Sequence, residues 1–188
     1  MKNFILNLLK KDKSINIDAY KTMYEYFQKQ LEHEKSRFKN LEDKSSKIFT
    51  MLSIIITAYT YIITTLININ SIEKYNQKLV FLIILIVLMV FLFFFLSRAW
   101  LNLFNSFKLE NTKHLGADQK AIDMFINNSE NLHEVYHYVA DQSAEIILAY
   151  KNSNKIKAEL IIQACKNISI SAILFVILLG LSVIYRAI

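Results

Sequence analysis

Hydrophobic positions are laid out in two ways along the chain. In three stretches they run almost unbroken: residues 48–72, residues 79–97 (LVFLIILIVLMVFLFFFLS) and residues 167–185 carry no charge at all. A hydrocarbon layer of about 30 Å takes roughly 20 helical residues, so each stretch is expected to be a transmembrane helix. The third begins Asn-Ile-Ser-Ile-Ser and is the least apolar, but the ILFVILLGLSVIY within it is apolar around the whole helical circumference, unlike a surface helix. The first two are joined by a short loop and form a hairpin.

Elsewhere apolar residues recur at alternating spacings of three and four. Ile17, Tyr20, Tyr24, Phe27, Leu31, Phe38, Leu41, Ile48, Leu52 and Ile55 make one stripe, interrupted only by Glu34 and Ser45. The pattern predicts one helix over residues 16–67, aqueous over 16–47 and in lipid beyond. A second stripe, Leu132, Tyr136, Val139, Ser143, Ile146, Tyr150, Ser153, Leu160 or Ile161, Ala164 and Ile168, predicts a helix from Ser129 to the C-terminus. Neither aqueous stripe can be buried alone, so the two helices are expected to pair as a cytoplasmic stalk. Within the intervening cytoplasmic region, 98–166, residues 98–128 read as a helical extension of the second span, a turn at Gly116 and a short helix. Arg98 and Trp100 stand where interfacial anchors belong. Residues 1–15 put Phe4, Ile5, Leu8 and Leu9 on one face before Lys10, Lys11 and Lys13; this reads as an interfacial amphipathic helix or a frayed terminus. The apolar run is too short, and lacks the small-residue cleavage site, for a signal peptide.

Composition sharpens this into a fold class. The 188 residues are 54% apolar, with no proline, two glycines and one cysteine, which removes the turn chemistry of β-sandwiches and barrels. No Gly-rich phosphate loop is present, and Cys165 alone makes neither an intramolecular disulfide nor a thiolate zinc site. The expected fold is an all-α membrane protein with three transmembrane helices, two of them continuous with the long helices of the stalk. Lys and Arg number eleven in residues 1–47 and eight in 98–166, against two in the hairpin loop and one after the last span. The positive-inside rule then puts the N-terminus and the 98–166 region in the cytoplasm, and the hairpin loop and C-terminus outside.

Within the first span Ser46, Thr50, Ser53, Thr57, Thr60, Thr64 and Asn68 form one polar face opposite the Ile48, Leu52, Ile55 stripe. Thr50, Ser53, Thr57, Thr60 and Thr64 are candidate pore-lining residues if several copies assemble. Alternatively these hydroxyls bond back to their own helix and pack against a neighbour. The absence of Asp, Glu, Lys, Arg and His from the spans argues against proton relays, voltage sensing and ion-coupled transport. The second span has no polar face and is expected to meet lipid. In the third, Cys165, Ser169, Ala172, Val176 and Gly180 form a small-residue face expected to pack helices closely, with Ser169, Ala172 and Gly180 its main contacts.

His133-Glu134-Val135-Tyr136-His137 is a literal H-E-x-x-H, the spacing that sets two imidazoles on one helical face for zinc, with Glu145 or Glu159 as a conceivable third ligand. Only three positions are fixed by that motif and nothing like the sheet edge of a metalloprotease accompanies it, so partly buried, hydrogen-bonded histidines are expected and neither metal nor cofactor is implied. Glu42 and Asp43 read as an exposed helix face. The basic residues are not interleaved with aromatics, so no nucleic-acid partner is expected.

The segment Glu34-Lys-Ser-Arg37-Phe-Lys-Asn-Leu41-Glu-Asp-Lys44-Ser45, leading into a membrane hairpin, resembles the signature of bacterial SLATT and Pycsar transmembrane effectors: an Arg, a Leu or Phe, an acidic residue and a Lys-Ala/Ser pair. Tyr150, Asn154, Lys155, Leu160 and Ala164, before the last span, resemble their second signature. Ser45 stands where Ala is usual, and the middle of the chain matches nothing in the family. The resemblance implies a non-enzymatic, homo-oligomeric antiphage effector of the bacterial inner membrane. Such a protein impairs the bilayer when a nucleotide second messenger or signalling partner protein triggers it, and growth of the infected cell stops. A non-conducting membrane scaffold or sensor, docking a partner through its stalk, is the competing expectation, and an H-E-x-x-H membrane metalloprotease a minor one.

Overall fold

The computed structural model describes residues 17–68, 76–109, 119–128 and 130–187. These form four helices and no strand: α1 (Ile17–Asn68), α2 (Asn76–Lys108), α3 (Gln119–Asn127) and α4 (Leu132–Ala187). Three of them, α1, α2 and α4, are long and apolar enough to cross a membrane. The helix expected over 16–67 is α1, and that expected from Ser129 onward is α4. The interfacial helix over 1–15 and the turn at Gly116 lie outside the described residues.

No proline or glycine interrupts α1, and Asp18 in its first turn complements the helix dipole. The short α3 is closed by Asn128 N–H donating to the Met124 carbonyl at 3.1 Å. The Asn131 and Glu134 amides then donate to the carbonyls of Asn128 and Asn131, both at 2.9 Å, which leads the chain into α4.

The chain divides into two units, Met1–Arg37 with Asn111–Asn152 and Phe38–Glu110 with Ser153–Ile188. In the first, α1 and α4 pack together, and α4 buries Val135 and Ala140 beside its expected stripe as well as Ser143, Ile146 and Tyr150 within it. Leu31, Val135, Ala140, Ile146 and Tyr150 are buried together with Ala121 of α3. Tyr24 meets Tyr136 at 5.5 Å between ring centroids, and Gln28 Nε2 donates to Ser143 Oγ at 3.1 Å. Ile17 and Leu132, the outermost members of the two stripes, are instead exposed.

In the second unit one apolar core joins three helices: Leu52 and Tyr59 of α1, Leu85, Leu92, Leu96, Ala99 and Leu103 of α2, and Ala164 and Leu178 of α4. The buried positions recur every seven residues. Ser45, Leu52 and Tyr59 follow this repeat in α1; Leu85, Leu92, Ala99 and Ser106 in α2; Lys157, Ala164, Ser171 and Leu178 in α4. A seven-residue repeat keeps one seam facing its partner as helices coil about each other. The α2 face outside its seam (Val80, Ile83, Val87, Phe91, Phe94) is exposed, the surface a lipid-facing span presents.

Asn154 and Lys157 are completely buried, and neither belongs to the expected α4 stripe. A hydropathy stripe passes over polar residues, whereas the seven-residue repeat puts Lys157 midway between Tyr150 and Ala164.

Truncating a seam residue removes contacts that the helices cannot replace. Leu31→Ala, at a position 2% exposed, is expected to destabilise the chain by about 2–5 kcal/mol. Tyr26→Ala, at an exposed position of the same helix, is expected to stay within about 0.5 kcal/mol of the parent. Thermal melts of the detergent-purified chain followed by circular dichroism measure both.

Candidate functional site

Where α1 and α4 pass toward their apolar halves, the seam of the second unit turns polar. The Lys157 ammonium is buried and donates to Glu42 Oε1 at 3.0 Å; it also sits over the Phe38 ring, 3.7 Å from the centroid. Desolvating an ammonium costs several kcal/mol, which only a close counter-charge and further favourable contacts offset. Glu42 supplies the charge while keeping 43% of its side chain exposed, so the carboxylate retains water on its far side. Phe38 presents the electron-rich face that attracts a cation.

One turn along α1, Ser45 Oγ and Ser106 Oγ of α2 lie 2.9 Å apart, both fully buried. Ser106 Oγ donates its single hydrogen to the Leu103 carbonyl at 2.7 Å, so the Ser45 hydroxyl is the donor between the two. Their small side chains let α1 and α2 approach closely. Asn154, one turn before Lys157 on α4, is fully buried in the same unit.

The positions that carry the family resemblance are therefore of two kinds. Ser45 and Asn154 are buried seam residues, Leu41 is half-buried, and Lys44 and Lys155 are exposed. Arg37, in the first unit, lies 3.8 Å from the buried Glu34. The reading of Glu42 and Asp43 as one exposed face is corrected: Asp43 is exposed, but Glu42 is half-buried and paired. Lys157 was missed because a charge reads as a surface residue. Its four-carbon stem fills a seam position as a leucine would, and the seven-residue count was the available signal.

Over its described length the hydroxyl stripe of α1 lies on the outside of a single copy. Thr50, Ser53, Thr57, Thr60 and Thr64 are all exposed. Each donates to the carbonyl four residues earlier, at 2.9–3.0 Å: Ser46, Phe49, Ser53, Ile56 and Thr60 in turn. The donors are thus satisfied within the helix, while the oxygens keep acceptor capacity toward whatever lies outside. Beside the stripe, α1 and α2 bound an open apolar groove of about 730 Å³ that Thr60 also lines. Tyr59, on its floor, donates from Oη to the Met89 carbonyl at 2.7 Å, which ties the two helices together there.

On α4, Ser169, Ala172 and Gly180 are exposed, and a Cβ built on Gly180 meets nothing within 4 Å. Within one copy the helix packs through another face, Ala164, Ser171, Leu178 and Ser182. The small-residue face is open, as is the hydroxyl stripe.

His133 and His137 share a face as the spacing requires, and both rings lie against Tyr20, at 5.7 and 6.3 Å between centroids. Glu134 Oε1 is 3.9 Å from His133 Nε2. Among the described residues no group of three or more His, Cys, Asp or Glu side chains could hold a metal ion. Neither Glu145 nor Glu159 completes such a set. Compared with protein-family models, curated proteins and solved structures, the chain matches none of them.

The Ser45–Ser106 contact separates volume from hydrogen bonding. Ser45→Ala removes one neutral hydrogen bond and leaves Ser106 bonded to Leu103, an expected loss of about 0.5–1.5 kcal/mol. Ser45→Leu forces the helices apart, with an expected loss of about 1–3 kcal/mol. The same melts in detergent rank the two, and the order Ala above Leu is the expected outcome.

Proposed function

We propose that this chain is an oligomeric membrane effector of bacterial antiphage defence. On this reading it lies in the inner membrane with its N-terminus and its 98–166 region in the cytoplasm, and it impairs the bilayer when a nucleotide signal or a partner protein triggers it. The observation that carries the reading is the hydroxyl stripe on α1, exposed over its whole described length. Three helices of one chain do not enclose a path, but several copies arranged with this face inward would line one with weakly polar oxygens. Such a wall passes water and ions without the cost of burying charge in lipid.

The internal hydrogen bonds of the stripe suit such a protein. With its donors already satisfied, a single copy rests in lipid at little cost, and its acceptors meet water once copies assemble. The apolar windows of α1, α2 and α4 are only 11, 17 and 17% buried within one copy, which leaves ample surface for neighbours. The same satisfied hydroxyls favour the competing reading, a non-conducting scaffold or sensor whose helices dock a partner.

Induced expression in bacteria with a voltage-sensitive dye separates the two. The effector reading expects depolarisation and growth arrest by the triggered parent chain; an intact potential at high, triggered expression supports the scaffold. Thr57→Leu with Thr60→Leu, both at exposed positions, is expected to reduce depolarisation several-fold while the oligomer size in detergent stays the same. Unchanged depolarisation would assign the stripe to packing. Glu134→Gln is expected to leave toxicity unaltered, and its loss would favour the metalloprotease.

A further inference from the structure

In the second unit α1 and α4 run parallel, and a seven-residue repeat has a weakness as a ruler: sliding one helix by seven residues maps its seam onto itself. Apolar residues alone do not distinguish the native register from its neighbours, whereas a single polar or charged seam position does. We propose that Lys157, with Glu42 and Phe38, is the register latch of α4 against α1.

At Lys157 the partners do not repeat. In the native register its ammonium meets the Glu42 carboxylate at 3.0 Å and the Phe38 ring at 3.7 Å. Seven residues earlier along α1, the same two places hold Lys35 and Leu31; seven residues later, Phe49 and Ser45. One slip confronts the ammonium with a like charge, and the other buries it with no carboxylate at all. Either outcome leaves a desolvated charge uncompensated, which is strongly unfavourable. By contrast Ser171 would meet apolar residues in any of the three registers, whereas the slip that sets Lys157 against Lys35 also sets Glu42 against Ala164 and takes the carboxylate's counter-charge away. The offset of 115 residues between Glu42 and Lys157 also separates Gln28 from Ser143 within the first unit, and a seven-residue slip would set Ser143 against Lys21 or Lys35 instead. A hydroxyl tolerates that exchange far better than an ammonium does, so the discrimination rests on Lys157. This inference stands whether or not the chain is an effector.

The test measures register directly. Spin labels at Lys44→Cys and Lys155→Cys, both exposed positions of the second unit, report the distance between α1 and α4 in the full-length, detergent-purified chain carrying Cys165→Ser. An excess of unlabelled chain removes distances between copies. The parent is expected to give one narrow distance distribution. Lys157→Met keeps the seam filled and leaves Glu42 facing water, so it is expected to fold with an unchanged or higher melting temperature. It should also acquire a second population, displaced along the helix by about 10 Å, the rise of seven residues. The exchange Glu42→Lys with Lys157→Glu restores opposite charges at the native offset and is expected to restore the single distribution. If Lys157→Met shows the parent's single narrow distribution, the pair is a local structural contact and the latch is refuted. If the exchange variant melts as the parent does but stays in two populations, the charge pairing is refuted as its cause.

Discussion

One constraint governs the packing of the long helices: a helix that runs without a break must keep the same face toward its neighbours over its whole length. An undistorted α-helix drifts by about 20° per seven residues, and coiling about a partner cancels the drift only when seam residues recur every seventh position. Leu85, Leu92, Ala99 and Ser106 in α2 and Lys157, Ala164, Ser171 and Leu178 in α4 satisfy this condition, while the chemistry of the seam changes from polar to apolar. The period stays constant while the solvent properties of the surrounding surface change, so packing rather than hydropathy defines the inner face. Ser and Ala recur within it because small side chains permit the close approach that strengthens helix contacts where lipid supplies no hydrophobic driving force.

This separation of period from hydropathy explains what could be read from the chain and what could not. The extents of α1 and α4 were legible because apolar residues marked enough of the seam and nothing interrupted it; Tyr24, Leu31 and Leu52 lie where their spacing puts them. Asn154 and Lys157 occupy the same seam but carry polar groups, so a stripe drawn through apolar residues steps around them. Glu42 failed for the complementary reason: its neighbour Asp43 is exposed, and only the position of Lys157, 115 residues away, distinguishes the two carboxylates. The small-residue face of α4 shows a further limit. Ser169, Ala172 and Gly180 have the composition of a contact face, but composition does not say with which partner, and within one copy that face is open.

The polar atoms within the apolar halves share one property. Thr57, Thr60 and Thr64 donate to their own helix, Ser171 and Ser182 do the same on α4, and Tyr59 donates across to Met89. No hydroxyl among these leaves a donor that only a second copy could satisfy. At these positions an association of copies would gain nothing from rescuing orphaned donors, in contrast to helices held together by unsatisfied amide or carboxyl side chains.

What association can gain is smaller and conditional: packing of open faces such as that around Gly180, and solvation of the remaining oxygen lone pairs along α1. Interhelical hydrogen bonds in membranes contribute only about 0.6 kcal/mol on average, so a stripe of acceptors gives a modest preference rather than an irreversible commitment. A protein required to remain harmless until signalled needs such a balance, with a resting state that lipid tolerates and an assembled state that a small added contribution favours. A stripe of Asn or Gln in place of the threonines would present unsatisfied donors in lipid and drive copies together without a trigger. On the effector reading, then, threonine and serine suit the stripe because they keep a polar surface along α1 while leaving the single copy close to neutral in the bilayer.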